Sequence, residues 1–223
     1  GRTRLYCTAG LSMQYSTALS DGVLALACLI CVVQLGKRYA GAQPEQRPRW
    51  FCILLGFALP AAAAAVGAVR FGLLPELGEL HGWLSRASSF LGLPLLGLAA
   101  LSLGRNWQWQ GPTWGRLLLG LCAFFELFRQ LDRLDEYRLF LQLSSLLLLL
   151  YGGLLRWPQR RPLVLALGAS GLLVFAGLVV GTDGFLGPVR RIDLFHALLT
   201  PAYPLLAWLM IDLTDTQSRA NTL

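Results

Sequence analysis

The sequence predicts an all-α, polytopic membrane protein, a bundle of seven transmembrane helices. Three observations indicate this class: 55% of the 223 residues are hydrophobic, only 14% are charged, and the charged residues lie between long apolar runs. Soluble domains carry about 25% charged residues. A helix needs about 20 mostly apolar residues to cross the hydrocarbon of a bilayer. A soluble protein this apolar could not cover its core with polar surface, so lipid must be part of its solvent.

Apolar runs of suitable length define the seven predicted helices. In chain order they cover residues 15–36, 50–70, 81–103, 113–129, 139–155, 163–181 and 190–212. Polar or Gly/Pro-containing connections separate them, the last one over 182–189. The sequence therefore predicts a seven-helix transmembrane domain over 15–212 and a polar C-terminal tail over 213–223. Residues 1–14 are interpreted as an N-terminal extension in which Met13 is a possible true start.

Lysine, arginine and tryptophan residues predict the orientation. With the N-terminus outside, more lysine and arginine residues fall in cytoplasmic loops than in outer ones, as the positive-inside rule requires. Most tryptophans then lie at the cytoplasmic boundary, namely Trp50, Trp107, Trp109, Trp114, Trp157 and Trp208. We expect a multi-pass protein of the inner membrane with its N-terminus outside and its C-terminus in the cytoplasm.

The net charge of +7 bears on the class of partner. The basic residues lie between apolar runs and form no basic stripe interleaved with aromatic residues, so the pattern argues against nucleic acid. It is typical of topological signalling and contact with lipid head groups. Membrane lipids are the expected partners, and a membrane-protein partner stays open.

Ionisable groups inside a membrane are costly and are therefore candidates for function. In alternating helices, the start of an odd-numbered helix and the end of an even-numbered one share a leaflet. The sequence places most of its intramembrane charges at these positions: Asp21, Arg70, His81, Arg86, Glu126, Arg129, Arg191, Asp193 and His196. Connectivity alone thus predicts a polar pocket near the outer leaflet.

Helical spacing adds detail to this pocket. Asp193 and His196 are three residues apart, Thr200 follows four residues later, and Tyr203 continues the same face. Taken alone, Thr200 and Tyr203 are as typical of backbone bonding and packing. On the first helix, Ser20 adjoins the carboxylate at position 21 on a similar polar face.

A purely structural interpretation also fits these charges. Buried ion pairs, such as Asp21 with Arg70 or Asp193 with Arg191, would staple the bundle without binding any ligand. Elsewhere, Cys28 and Cys31 form a CxxC inside an apolar helix, where cysteines behave as small hydrophobic residues.

Small residues predict where helices approach each other closely. Gly177 and Gly181 form a GxxxG pair on the sixth predicted helix, a spacing that lets backbones approach in lipid.

Three short motifs carry a resemblance to a known family. TALSD over 17–21, GAVRFG over 67–72 and IDLFH over 192–196 resemble an uncharacterised bacterial seven-helix family. That family is similar to the CREST membrane hydrolases, which include the alkaline ceramidases and the progestin/adiponectin-receptor-like proteins. Members of the superfamily hold a zinc ion with histidines near one end of the bundle, beside an aspartate and a serine. The resemblance implies site roles for Ser20, Asp21, Asp193 and His196.

The chain departs from the pattern that this resemblance implies. Arg70 and Arg191 stand where the bacterial family carries histidines, and a catalytic zinc usually has three protein ligands plus water. If zinc is bound, its ligands would come from His81, His196, Asp21 and Asp193. We favour no cofactor, because the arginines would bring positive charge beside the metal. They would instead neutralise the two aspartates or hold an anionic head group.

The sequence thus supports three functions. The first is a metal-free CREST-like protein that binds a lipid or an anion as a sensor or accessory protein. The second is a metal-dependent lipid hydrolase or amidase, with Asp21, Asp193 and His196 as catalytic residues, so whether the chain is an enzyme stays open. The third is a structural or assembly subunit that binds no ligand.

Overall fold

The computed structural model describes the backbone of residues 2–220 and the side chains of residues 15–217 and 219. Within that part of the chain it contains eight α-helices and one small β-ribbon. The helices are α1 (Arg2–Ala40), α2 (Arg47–Gly72), α3 (Gly78–Ala87), α4 (Leu93–Gly104), α5 (Gly111–Gln130), α6 (Leu134–Leu154), α7 (Arg160–Val174) and α8 (Arg191–Ala220). The strands are β1 (Phe185–Leu186) and β2 (Val189–Arg190).

Six of the described helical segments are long and apolar enough to cross a membrane. They are Tyr15–Ala40, Pro44–Gly72, Pro75–Gly104, Leu134–Leu154, Arg160–Val180 and Arg191–Gln217. The chain is therefore a polytopic helical protein, as predicted, although α5 is not among these six. The third segment contains both α3 and α4.

Helix ends differ from the predicted ones. α1 begins before residue 15 and α8 continues past residue 212, so part of the predicted tail is helical. The rest of that tail, residues 221–223, lies outside the described residues, as does Gly1. The connection over 182–189 forms an antiparallel ribbon, because Gly184 and Gly187 adopt positive φ values of 87° and 61° that favour glycine.

Two π-helical turns interrupt the helices. Ser88–Gly92 joins α3 to α4, and Phe175–Val180 extends α7. Pro94 accounts for the first turn, because it has no amide hydrogen to donate to the carbonyl of Phe90. The sequence predicts continuous helices at both places, over 81–103 and 163–181.

Small residues bring α4 and α6 into backbone contact. A Cβ added to Gly152 would lie 2.7 Å from the carbonyl oxygen of Ala100, and one added to Gly97 would lie 3.0 Å from the backbone of Ser145. In contrast, nothing lies within 4 Å of a Cβ added to Gly177 or to Gly181. The prediction that this GxxxG pair mediates close packing is wrong. The close approach uses glycines that show no such spacing.

The two ends of the bundle are defined by their contacts. We call the end where α1 meets the start of α8 the site end. At the opposite end, Arg38 pairs with Asp215 at 2.5 Å and Arg161 pairs with Asp212 at 2.8 Å. These pairs hold the last turns of α8 against α1 and α7.

Candidate functional site

A hydrogen-bonded cluster joins α1 to α8 at the site end. His196 Nε2 lies 3.2 Å from Asp21 Oδ1, and His196 Nδ1 lies 3.0 Å from Ser20 Oγ. Ser20 Oγ is also 3.4 Å from Asp193 Oδ1, and the hydroxyl of Ser16 donates to the other oxygen of Asp193. The predicted polar faces of the first and last helices therefore face each other.

The cluster leaves one carboxylate oxygen without a partner. Asp21 is 1% exposed and His196 is 7% exposed. Asp21 Oδ2 is buried and has no hydrogen-bond partner within the described part of the chain. Buried polar atoms are nearly always hydrogen-bonded, so an unpaired carboxylate oxygen indicates a position that a ligand or water can fill.

His81 and Arg70 approach the same point from α3 and α2. Arg70 Nη1 lies 2.9 Å from His81 Nδ1. A guanidinium can only donate, so Nδ1 accepts and the proton of the neutral ring is on Nε2. A Cβ added to Gly67 would lie 2.9 Å from His81 Nε2 and would overlap the Asp21 carboxylate. Gly67, the first residue of the GAVRFG motif, thus leaves room for both groups.

A cavity of about 490 Å³ begins at these groups and continues between the helices. Asp21, His81 and His196 form a polar patch on its wall, and much of the rest is apolar. The apolar lining includes Leu24, Leu93, Leu146, Leu173, Ile192, Phe195 and Leu199. A molecule with a small polar group and a hydrocarbon part would match this lining.

The cavity reaches the surface beside α6 and the end of α7, and the exposed polar residues Asp135, Arg138 and Thr182 also line it. Leu139 and Leu143 on α6, and Val174 and Leu178 beside them, line the cavity and are also 36–60% exposed on the surface. Toward the opposite end, α6 and α7 approach each other closely. A Cβ added to Gly153 would lie 2.9 Å from the carbonyl oxygen of Pro162. We call the opening between these four side chains the lateral opening.

Both π-helical turns line the cavity. Ser88 and Ser89 belong to the first turn, and Gly177 and Leu178 to the second. Gln142 Nε2 donates to the carbonyl oxygen of Ser89 at 2.7 Å, which compensates for the altered backbone bonding there. Such turns occur frequently at functional sites.

Residues 16–215 of the chain match the family model of DUF6962, a family of unknown function. The chain belongs to the DUF6962 family. The match spans the whole cluster, including Ser16, and the residues that line the cavity. No curated protein matches this DUF6962 chain, and no solved structure does.

Four predicted site residues of the DUF6962 chain lie apart from the cluster. The guanidinium of Arg86 lies over a tryptophan ring, 5.5 Å from its centroid. Glu126 and Arg129 pair with each other at 2.6 Å on the exposed end of α5. Arg191 Nη1 donates to the carbonyl oxygen of Val180 at 3.1 Å. Sequence spacing placed these residues at the correct end of the bundle but could not show which way each side chain turns.

The predicted structural ion pairs do not form as direct contacts. Asp21 contacts His196, and the guanidinium of Arg70 bonds to His81. Asp193 contacts serines, while Arg191 bonds to a backbone carbonyl. The arginines therefore position other groups instead of stapling the two aspartates.

Thr200 and Tyr203, the last two predicted site residues, differ in their relation to the cavity. Thr200 Oγ1 donates to the carbonyl oxygen of His196 at 2.8 Å, which is the backbone bonding typical of threonine in helices. Tyr203 is buried, lines the cavity and packs edge-to-face against Phe57 with ring centroids 5.9 Å apart. Tyr203 is therefore a wall of the cavity, and Thr200 is not among its lining residues.

Sequence reasoning missed several residues of this region. Ser16 lies one turn before Ser20, so the four-residue spacing could have revealed it. Arg190 Nη1, which lies 3.4 Å from Thr17 Oγ1, carried no local signal because it belongs to the β-ribbon. Gln142 likewise gave none, since its role depends on a π-helical turn in another helix.

The donor set does not fit a zinc ion. Both ring nitrogens of His196 bond within the cluster, and His81 Nδ1 accepts from Arg70. Among the side chains that the structure describes, no group of three or more His, Cys, Asp or Glu residues is arranged to hold a metal. The cysteines do not change this conclusion, since Cys28 and Cys31 are buried free thiols in α1.

Proposed function

We propose that this DUF6962 protein binds a membrane lipid in its cavity without a metal, as a sensor or accessory protein. The single observation that carries the proposal is the unpaired oxygen of Asp21, which is buried beside a cavity with largely apolar walls. The lateral opening supports a ligand that comes from the bilayer. An acyl chain can pass between leucine and valine side chains without leaving an apolar environment.

The cluster favours a neutral polar group over an anion. Asp21 Oδ2 can accept a hydrogen bond, and the Nε2 hydrogen of His81 can donate one. A hydroxyl or an amide offers both a donor and an acceptor and would satisfy both groups. A phosphate would place like charges next to the carboxylate, which is unfavourable.

The proposal includes α5 as a seventh membrane span. α5 has 20 residues, which corresponds to about 30 Å of helix. Its start lies near Pro48, since a Cβ on Gly111 would be 3.6 Å from that ring, and Tyr137 Oη donates to the carbonyl oxygen of Leu121 at 3.3 Å. It therefore runs beside the other helices from the opposite end toward the site end.

We also propose that the site end faces the outside of the inner membrane and that the family is a distant, metal-free relative of the CREST proteins. The excess of basic residues and of tryptophans at the opposite end supports the orientation. The meeting of the three motifs supports the relationship, because Asp21, Gly67 and His196 come from the three and lie around one point.

Lipid retention by the purified protein tests the proposal. Asp21→Asn removes the acceptor charge, and Glu126→Gln is the matched control because that carboxylate is exposed on α5 and lies outside the cavity. A charge-assisted hydrogen bond contributes about 1.5–3 kcal/mol, so Asp21→Asn should retain roughly 10 to 100 times less lipid. Mass spectrometry of the extracted lipids measures the difference.

Defined ligands separate this function from its two rivals. Hexadecanol should raise the thermal unfolding midpoint of the wild-type protein in detergent, whereas hexadecane, which lacks the hydroxyl, should raise it far less. Equal effects of the two, with equal lipid retention by both variants, would favour a structural subunit. A stoichiometric zinc ion whose removal abolishes lipid hydrolysis would establish the metal-dependent enzyme instead.

A further inference from the structure

The opposite end of the bundle contains buried N–H donors without acceptors. Arg49 is 4% exposed, and its Nε and Nη2 atoms have no hydrogen-bond partner within residues 15–217. Three further buried donors at this end are also unpaired: Trp114 Nε1, Arg156 Nε and Gln217 Nε2. They belong to the starts of α2 and α5, the connection after α6 and the last turns of α8.

No carboxylate among the described side chains pairs with the buried nitrogens of Arg49. Asp212 and Asp215, the two carboxylates on this part of α8, already pair with Arg161 and Arg38. Glu45 lies one turn before Arg49 but is exposed, whereas the free guanidinium nitrogens are buried. Arg49 also lies in the first turn of α2, where the helix dipole is positive. A buried cation in such a place needs an anion from elsewhere.

The two free nitrogens of Arg49 have a specific geometry. Nε and Nη2 form one edge of the planar guanidinium, and their hydrogens point in parallel. This edge binds two oxygens of one phosphate or carboxylate group at once. A single water molecule could accept from one of these hydrogens but would not supply the missing negative charge.

Arg156, whose Nε is also unpaired, shows how one guanidinium nitrogen is satisfied where protein acceptors are present. Its Nη2 donates to the carbonyl oxygen of Leu103 at 2.6 Å and also approaches Asn106 Oδ1 at 3.2 Å and the carbonyl oxygen of Leu213 at 3.4 Å. It lies outside the six apolar segments, and burial lowers its pKa. Arg49, by contrast, has no such carbonyl within reach of Nε and Nη2.

We propose that Arg49 anchors a binding site for a phosphate group at the opposite end of the bundle. The Nε/Nη2 edge holds two phosphate oxygens, and the other unpaired donors lie on segments at the same end of the bundle. The phosphate belongs either to a phospholipid head group or to a soluble phosphate. The site shares no residue with the cavity, so it does not depend on the function proposed above.

Titration of the full chain in a phosphate-free maltoside detergent tests this site. Two probes are added at constant ionic strength, inorganic phosphate and phosphatidylglycerol, with diacylglycerol as the phosphate-free counterpart of the lipid. We expect the thermal unfolding midpoint to rise with one or both phosphate probes and not with diacylglycerol. A rise with inorganic phosphate identifies a soluble ligand, and a rise with phosphatidylglycerol alone identifies the lipid.

Variants at two arginines on the same helix turn make the test specific. Arg49→Gln should weaken phosphate binding at least tenfold, whereas Arg47→Gln, which changes an exposed cation on the same helix turn, should leave it unchanged. If Arg49→Gln does not fold, Arg49→Lys keeps the charge without the two-pronged edge and should still weaken binding severalfold. Equal losses at positions 47 and 49, or no midpoint shift of the wild-type protein with either phosphate probe, would overturn the proposal.

Discussion

A single methyl group added at Gly67 should weaken ligand binding in the cavity while the rest of the fold stays intact. In Gly67→Ala, the new Cβ would lie 2.9 Å from His81 Nε2 and would overlap the Asp21 carboxylate. Both side chains must move, which disturbs the 3.2 Å contact between Asp21 and His196 and the 2.9 Å contact between Arg70 and His81. The mutation therefore displaces the acceptor and the donor that are proposed to bind the ligand.

The expected magnitude follows from two opposing terms. Overpacking a buried site costs about 1–3 kcal/mol. Replacing glycine by alanine inside a helix returns about 1 kcal/mol. The net loss of unfolding free energy should be about 0–2 kcal/mol, so the protein should still fold. Loss of one or two ligand hydrogen bonds should lower lipid retention about tenfold or more.

Thermal unfolding and lipid mass spectrometry on the same preparation measure the two effects. Gly171→Ala is the control, because nothing lies within 4 Å of the added Cβ in α7. It should be neutral or slightly stabilising and should retain the wild-type amount of lipid. Gly67→Ala that retains as much lipid as Gly171→Ala would show that the space beside Asp21 is not where the ligand's polar group lies.

Three further predictions concern packing, the π-helical turn and the lateral opening. Gly152→Ala places a methyl group 2.7 Å from the carbonyl oxygen of Ala100, a backbone atom that cannot turn away. After the return of about 1 kcal/mol for alanine in a helix, it should lower the unfolding free energy by about 0–2 kcal/mol in denaturant titrations. Gln142→Leu leaves the carbonyl of Ser89 without its side-chain donor and should cost about 1–3 kcal/mol in the same assay. Leu143→Trp fills the lateral opening and should slow exchange of a fluorescent hexadecanol analogue, while substitutions at surface positions of α6 outside the cavity leave the rate unchanged.

Connectivity accounts for the part of the site that the sequence predicted. In the predicted order of seven helices, the first, third and seventh helices begin at the same end of the bundle, and the structure brings Asp21, His81 and His196 of these helices together. Helical periodicity likewise predicts a polar face with Ser20 on the first helix and one with Asp193 on the last, and the structure brings these faces together. These inferences need only the number and direction of the helices.

The choice of partner could not be predicted in the same way. Arg70 bonds to His81 and Arg191 bonds to a carbonyl, although charge alone favours pairs with the aspartates. Such choices depend on helix rotation and on shifts of a few ångströms. The carbonyl that accepts from Arg191 belongs to Val180 in the second π-helical turn, and only the turn before Pro94 has a visible cause in the sequence.

Glycine spacing was a poor guide to helix packing for a related reason. The GxxxG pair at positions 177 and 181 faces open space, whereas Gly152 and Gly97 contact backbone across the interface between α4 and α6. A small residue permits close approach, but the rotation of the helix decides whether a neighbour is there.

The direction of the lateral opening determines which concentration governs occupancy. Leu143 and Leu178 line the cavity and are exposed on the outer surface of the bundle, so the proposed lipid ligand would enter past them from within the membrane. Its effective concentration is then its mole fraction among the surrounding lipids. Diluting a vesicle suspension with buffer changes neither this mole fraction nor the occupancy of the cavity. Adding ligand-free lipid lowers the mole fraction of the ligand. Reconstitution at different lipid-to-protein ratios therefore determines the fraction of the protein that has ligand bound.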